Sequence, residues 1–370
     1  HGGGGKPITG WLKASLSENK PYDQIVRELI KPVGGSDGFI KGVAWRGTVN
    51  ASQVTEMQAA QNVAQVFMGL NIKCASCHDS FINDWTLKQT YSFAAIFAGG
   101  PLDIHRCDKP TGEKADPAFL YPELGRIDAS APAGKRIEQL AEVMTSPKNG
   151  RLARTMVNRL WAIFFGHGLI EPVDEMDNPT WNQDLLDWLA VDFAEHGYDL
   201  KHTMKLLLTS RAYQRPSVAL DPDAEDFVFR GPVVRRMSSE QFLDGLDQVI
   251  LAASAKPAGN ARGTGRKRAG SRNLDRLMRT LGRPKRDVVV TRRESAATTA
   301  QFIELSNGRS VADLVAKGGK AWMGSGRPSG VLVSDLFASA FGREPSGREL
   351  ASALEVVGDP LTARGVEDLL

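Results

Sequence analysis

Gln61-Asn62-Val63-Ala64-Gln65-Val66-Phe67-Met68-Gly69-Leu70 runs through Asn71-Ile72-Lys73 into Cys74-Ala75-Ser76-Cys77-His78. In the first part Val63, Phe67 and Leu70 recur at spacings of four and three, the apolar stripe of a helix, and predict helix over Met57 to Leu70. The second part is a CxxCH motif. In a helical turn, positions three apart share a face, so the sulfurs of Cys74 and Cys77 can reach one edge of one porphyrin and form thioethers to its vinyl groups. His78 follows at once and can offer an imidazole nitrogen to the iron as proximal ligand. From average residue usage, a chance match in a chain this long is roughly a few per thousand.

Outward from this stretch the pattern stays helical. Tyr22 to Ile30 carries Ile25, Val26, Leu29 and Ile30 on one stripe, and Gly34, Gly35 and Gly38 break it. Trp85 to Phe97 reads as helix, ended by Gly99-Gly100-Pro101. Arg151 to Phe165 has Leu152, Met156, Leu160, Trp161 and Phe164 on one face, and Gly166 supplies a stop. Trp181 to Ala194 and Leu200 to Tyr213 predict an antiparallel helix pair. Ser238 with Gln241, and Ser346 with Glu349, have capping-box spacing. Only Asp287 to Thr291 reads as a strand.

The expectation is a mainly α protein of two helical domains, 1–135 and 136–370, joined by an irregular Pro- and Gly-rich connection over 101–134. Residues 256–273, with Pro257 and many Gly, Arg and Lys, predict a flexible basic loop.

At 370 residues, with 42% hydrophobic and 24% charged residues, the composition is that of globular domains. A net charge of +3, from 46 basic and 43 acidic residues, is too balanced to argue for nucleic acid, and no apolar run is long enough to span a bilayer. Three cysteines make no disulfide scaffold. His1 to Lys6 has neither the basic nor the apolar region of a signal peptide, and the N-terminal domain is expected to be truncated.

Rival chemistries use the same residues. A redox dithiol would want a βαβ setting, whereas these surroundings are helical. Zinc is the sharper rival: Cys74, Cys77 and Cys107, with His78 or His105, supply a Cys3His set. For the sixth iron position Met57, Met68, His105 and Met144 are available. His105 is the distal candidate, and an open position is equally allowed. Elsewhere, Arg154 and Asn158 can jointly hold a carboxylate or a haem propionate, against the blander and favoured role of a polar clamp with Arg159. Trp161, Trp181 and Trp188 sit at core spacing, which outweighs stacking on sugars. His167 reads as a helix-end residue. His196 and His202 read as surface histidines near a turn.

Residues 61–70, the run Cys74 to Asp79, Trp85-Thr86, Tyr91, Phe93 to Ala98 and the upstream Asn19 to Gln24 together resemble the first of two paired domains of unknown function in planctomycete proteins, often found behind a separate cytochrome c-type domain. Arg154 to Trp161, Phe165 to Leu169, Leu185 to Ala190, Leu281 to Arg286 and Phe341 to Pro345 are similar to the second. The resemblance implies a periplasmic or cell-surface protein, with a cytochrome c-type domain or redox partner and a link to polysaccharide degradation. It supplies no reaction. Where the family commonly has a second histidine two residues after the motif's own, this chain has Ser80. The expected function is an exported, haem c-binding redox protein. The alternative is a surface assembly or degradation accessory whose cysteines hold zinc or a disulfide.

Overall fold

The structure is a computed structural model that describes residues 5–44, 53–220, 226–251, 268–284, 293 and 297–370. The expected strand at 287–291 and residues 256–267 of the expected basic loop lie outside the described residues. The protein is mainly α-helical and divides into two compact units, His1–Val234 and Arg235–Leu370. Among the described residues no helix is long and apolar enough to cross a membrane.

The first unit contains α1 (Gly5–Ser17), α2 (Tyr22–Ile30), α3 (Gly38–Ala44), α4 (Thr55–Met68) and α5 (Leu87–Ala95). A hairpin, β1 (Leu102–Arg106) and β2 (Lys109–Ala115), follows, then α6 (Ala133–Met144), α7 (Gly150–Phe165), α8 (Gln183–Glu195) and α9 (Leu200–Thr209). α4 packs against α5 and α7, α7 against α8 and α9, and α2 against α6. Val26, Phe67, Phe93, Leu140, Val157 and Phe193 belong to one continuous buried cluster. Each such side chain contributes roughly 1.5–3 kcal/mol by leaving water, so this cluster dominates the unit's stability.

Two expectations about the connection give way to the structure. Residues 102–115 are an antiparallel hairpin, closed by Cys107-Asp108 between the paired Arg106 and Lys109. Only Ile104 and Ala115 of its strands are buried, so the alternation that announces a half-buried strand is too sparse to read. The apolar core also does not stop at 135. Leu140, Leu152 and Phe165 share a cluster with Phe67 and Phe93, and the break between compact units falls after Val234.

The second unit contains α10 (Ser239–Ile250), α11 (Arg276–Thr280), α12 (Thr299–Asn307), α13 (Arg309–Met323), α14 (Ser329–Phe341), α15 (Gly347–Val357) and α16 (Ala363–Leu369). Its core is two smaller clusters, one around Trp322, Leu332 and Val357, the other around Leu243, Leu277 and Met278. Trp322 Nε1 donates to the Ile250 carbonyl at 3.1 Å, which satisfies a donor that burial would otherwise leave costly. Both expected capping boxes form, at Ser238/Gln241 and Ser346/Glu349. Thr298/Gln301 makes another, and Thr86/Gln89 one in the first unit.

Candidate functional site

α4 ends on Gly69, whose left-handed backbone (φ 60°) accepts the usual helix stop. Leu70 and Ile72 then anchor the chain in the core, and Cys74–Ser76 form a 3-10 turn rather than an α turn. The Cys77 and His78 amides both donate to the Cys74 carbonyl, at 3.2 and 3.4 Å. A 3-10 turn eclipses positions three apart, so Cys74 and Cys77 leave the backbone on the same side. Ala75 and Ser76 face inward and are fully buried, whereas Cys74, Cys77 and His78 are half-buried. None of the three cysteines is in a disulfide, and Cys107 is exposed.

His78 Nδ1 lies 2.7 Å from the Asp79 carbonyl. With the proton on Nδ1, that bond leaves Nε2 with its lone pair, the usual arrangement of a ligating histidine. The ring lies 4.4 Å from that of Phe81, which is 86% exposed, and Ile82 beside it is exposed too. The loop closes through the Ser80 amide, which donates to the Trp85 carbonyl, and through Asp79 Oδ1, which accepts from the Leu87 amide at the start of α5. The hairpin turn comes in from the side. The Cys107 amide donates to the Cys77 carbonyl at 2.9 Å, and Arg106 lies 3.7 Å from Asp79. Tyr91 is buried beneath, and that burial pushes its phenol up.

The foundation comes from far along the chain. Arg159 on α7 donates to the Val66 and Gln65 carbonyls, the open end of α4, and pairs with Asp174 at 2.9 Å. It thereby satisfies orphan carbonyls with a cation at a helix C-terminus. The Met176 amide donates to the Gly69 carbonyl at 2.9 Å. Asp177 accepts from Trp85 Nε1 at 3.2 Å and pairs with Arg151. Burial pushes Glu175 up, and hydrogen bonds to Asn71 and Asn83 partly oppose this. Residues 174–177 are thus the floor of the cysteine turn.

The other candidates fall into place. Met57, Met68 and Met144 are fully buried in the core. His105 is on β1, half-buried, with Nδ1 3.1 Å from the Asp103 carbonyl. The donors of Cys74, Cys77, Cys107, His78 and His105 form no compact three-donor group among the described residues. Asn158 is fully buried: its Oδ1 accepts from the Leu169 and Ile170 amides, and its Nδ2 donates to the Ile170 carbonyl. Arg154 pairs instead with Asp187. Arg154, Asn158 and Arg159 are therefore separate clamps, not one anion site. His167 follows α7 and stacks on Phe227, with centroids 3.8 Å apart. Trp161 is buried as expected, but Trp188 is 55% exposed and with Trp181, Phe227 and Phe229 lines a cavity of about 630 Å³. Helical spacing alone does not separate the core side of α8 from a groove beside it.

Two half-buried cysteines three positions apart on a turn, with an imidazole next to them and exposed apolar side chains beside it, are the donor set that a covalently attached haem would need. The chain is thus a mainly α protein with a cysteine–histidine turn founded on a second set of helices. Residues 4–100 match the family model PSCyt2, Protein of unknown function (DUF1549), and residues 136–270 match PSD1, Protein of unknown function (DUF1553). Together these cover well over half of the chain, which belongs to the family carrying this pair of planctomycete domains. The hairpin falls between the two matches. No curated protein and no solved structure matches the chain.

Proposed function

We propose that the chain is an exported redox protein in which Cys74 and Cys77 hold a c-type haem through thioether bonds and His78 Nε2 faces its iron. The observation that carries this reading is the 3-10 turn, with Cys74 and Cys77 half-open on one side and outside any disulfide, and His78 Nδ1 engaged by the Asp79 carbonyl. Such a haem supplies one-electron transfer when bound. The chain's own part is to hold the imidazole by that carbonyl and to cover one side of it with Phe81. A separate cytochrome c-type domain is the natural electron partner for a group mounted at the surface.

The test is expression with export in a host that has haem-attachment machinery, followed by acidified-acetone extraction. Haem is expected to stay with the protein and to be lost in the Cys74→Ser/Cys77→Ser variant. Haem that washes out, or never appears, overturns the reading.

A second reading is supported by the bond from the Cys107 amide to Cys77, which brings a third thiol-bearing residue to the motif. In that case the cysteines bind zinc or pair with each other in a surface accessory protein. Metal analysis with Cys107→Ser decides between them. Zinc lost on this change supports the second reading, and haem optical bands untouched by it support the first.

A further inference from the structure

The α8–α9 corner gathers a second set of ligating side chains, well separated in sequence from the cysteines. Asp192 lies in the last turn of α8, His196 caps that helix, and His202 lies in the first turn of α9. One ligand atom from each comes within 4.8 Å of the other two, and this is the one such three-donor group among the described residues. His202 Nε2 is 3.1 Å from Asp192 Oδ2, and His196 Nδ1 is 3.3 Å from Asp192 Oδ1. The two imidazoles lie nearly parallel, with centroids 3.8 Å apart.

The backbone beneath is held from several sides. Gly197 and Tyr198 both take left-handed conformations (φ 66° and 56°), which turns the chain sharply between the helices. The Tyr198 amide donates to the Phe193 carbonyl at 2.8 Å, and the Tyr198 carbonyl accepts from the Tyr22 amide at 3.0 Å. Asp199 caps α9 by accepting from the His202 amide at 2.9 Å, and its other oxygen accepts from Asn19 at 2.8 Å. The donors therefore start from a fixed frame, and only side-chain torsions remain to be set.

We propose that Asp192, His196 and His202 form a binding site for a divalent late first-row transition ion, with zinc as the type case. Two imidazole nitrogens and one carboxylate oxygen are a donor set that suits zinc, nickel or copper and disfavours magnesium or calcium. Tetrahedral zinc with arms of about 2.0–2.1 Å holds its donors roughly 3.3–3.4 Å apart. Each imidazole already has one carboxylate oxygen at about that distance, Oδ1 for His196 and Oδ2 for His202, so a turn of the carboxylate brings one oxygen to the shared ion. Binding requires His196 to carry its proton on Nε2, which turns Nδ1 from the Asp192 carbonyl, 2.8 Å away, to the ion. His202 binds through Nε2 and keeps its proton on Nδ1. Three protein ligands leave the fourth position to water, the pattern of an open site rather than a closed structural one. The single carboxylate leaves the bound ion with net positive charge, so that water position favours an anionic or carbonyl-bearing ligand.

The experiment titrates the full chain with cobalt(II), a spectroscopic stand-in for zinc, in a Cys74→Ser/Cys77→Ser/Cys107→Ser background. Visible d–d bands saturating at one ion per chain, without thiolate charge-transfer absorption, are expected. They should vanish in His202→Ala and in Asp192→Asn, the latter keeping the size and hydrogen-bonding capacity of the side chain so that folding is preserved. Zinc should raise the melting temperature of the cysteine-free chain and leave that of Asp192→Asn unchanged. No binding in the cysteine-free chain, or equal binding in the His202→Ala and Asp192→Asn variants when these are folded, overturns the proposal. Because the cysteines are absent throughout, the result does not depend on whether the chain carries haem.

Discussion

The cysteine turn and the histidine corner are built alike, and each fails in a different place. Both put ligating side chains around a sharp reversal that follows a helix end with left-handed backbone, Gly69 in one and Gly197-Tyr198 in the other. At the cysteine turn the chemistry lies within five consecutive residues, while its floor comes from Arg159 and residues 174–177, about a hundred positions away. At the histidine corner the donors are spread from 192 to 202 across two helices, and the frame combines local bonds with neutral ones from Asn19 and Tyr22. Ligands adjacent in sequence therefore do not mean a site that is local in structure. The cysteine turn, whose distant support includes a largely desolvated ion pair, should be the more sensitive to distant substitutions.

The largest effect expected from that difference is at Arg159. Its side chain is 14% exposed and that of Asp174 is 15% exposed, so the pair is largely desolvated. Arg159→Met leaves Asp174 with the Gln65 amide in place of a guanidinium, and the last carbonyls of α4 without their cation. Removing one partner of a buried pair costs about 3–5 kcal/mol, which urea denaturation would show as a lower midpoint. A loss below about 1 kcal/mol would mean that the turn carries its own support, and the contrast with the histidine corner would collapse.

The residues explain which parts were legible. α2, α7, α9 and the Ser238 and Ser346 capping boxes could be read because their signals are local: a stripe at helical spacing, or a polar residue three positions before its partner. The hairpin at 102–115 could not, since two buried residues in two strands make no period. The continuity of the core past 135 depends on helices α6 and α7 meeting α2 and α4, contacts with no sequence-local signature. At the cysteine turn the motif itself was plain, whereas Asp174, Glu175 and Asp177 look like ordinary solvated acids until the fold brings them under it. His196 and His202 read as surface residues because their third partner, Asp192, sits on the preceding helix at a spacing that signals a metal site only once the corner has turned. An Asp four residues before a His on one helix was the available clue.

A smaller effect sharpens the same contrast from the helix end. A methyl group at Gly69 would stand 2.4 Å from Met176 Cγ, on backbone with φ 60°. Gly69→Ala therefore adds left-handed strain to a clash with the floor segment, for a loss of about 1–3 kcal/mol. Gly197, at φ 66°, has nothing within 4 Å of the same methyl, so Gly197→Ala carries the backbone strain alone and should cost less. Equal losses in thermal denaturation would show that the floor at Met176 yields freely. A larger loss at Gly69 shows that it does not.

The smallest effect is a pH dependence confined to the floor. Burial holds the Glu175 carboxyl above its ordinary value of 4.5. A raised acid binds its proton more tightly in the folded chain than in the unfolded one. Its favourable contribution is therefore complete below the ordinary value and declines as pH rises through the folded one. Glu175→Gln mimics the protonated form at every pH. The variant should match the parent in acid and melt above it at neutral pH, and the gap should open as pH climbs past the ordinary carboxylate range. The variant-minus-parent difference isolates this group from Glu138 and Asp187, whose carboxyls are held low by Lys31 and Lys135 and by Arg154 and which titrate alike in both proteins. A gap that opened on acidification instead would place Glu175 as a stabilising anion. The floor of the cysteine turn would then be held by charge pairing rather than by burial against Asn71 and Asn83.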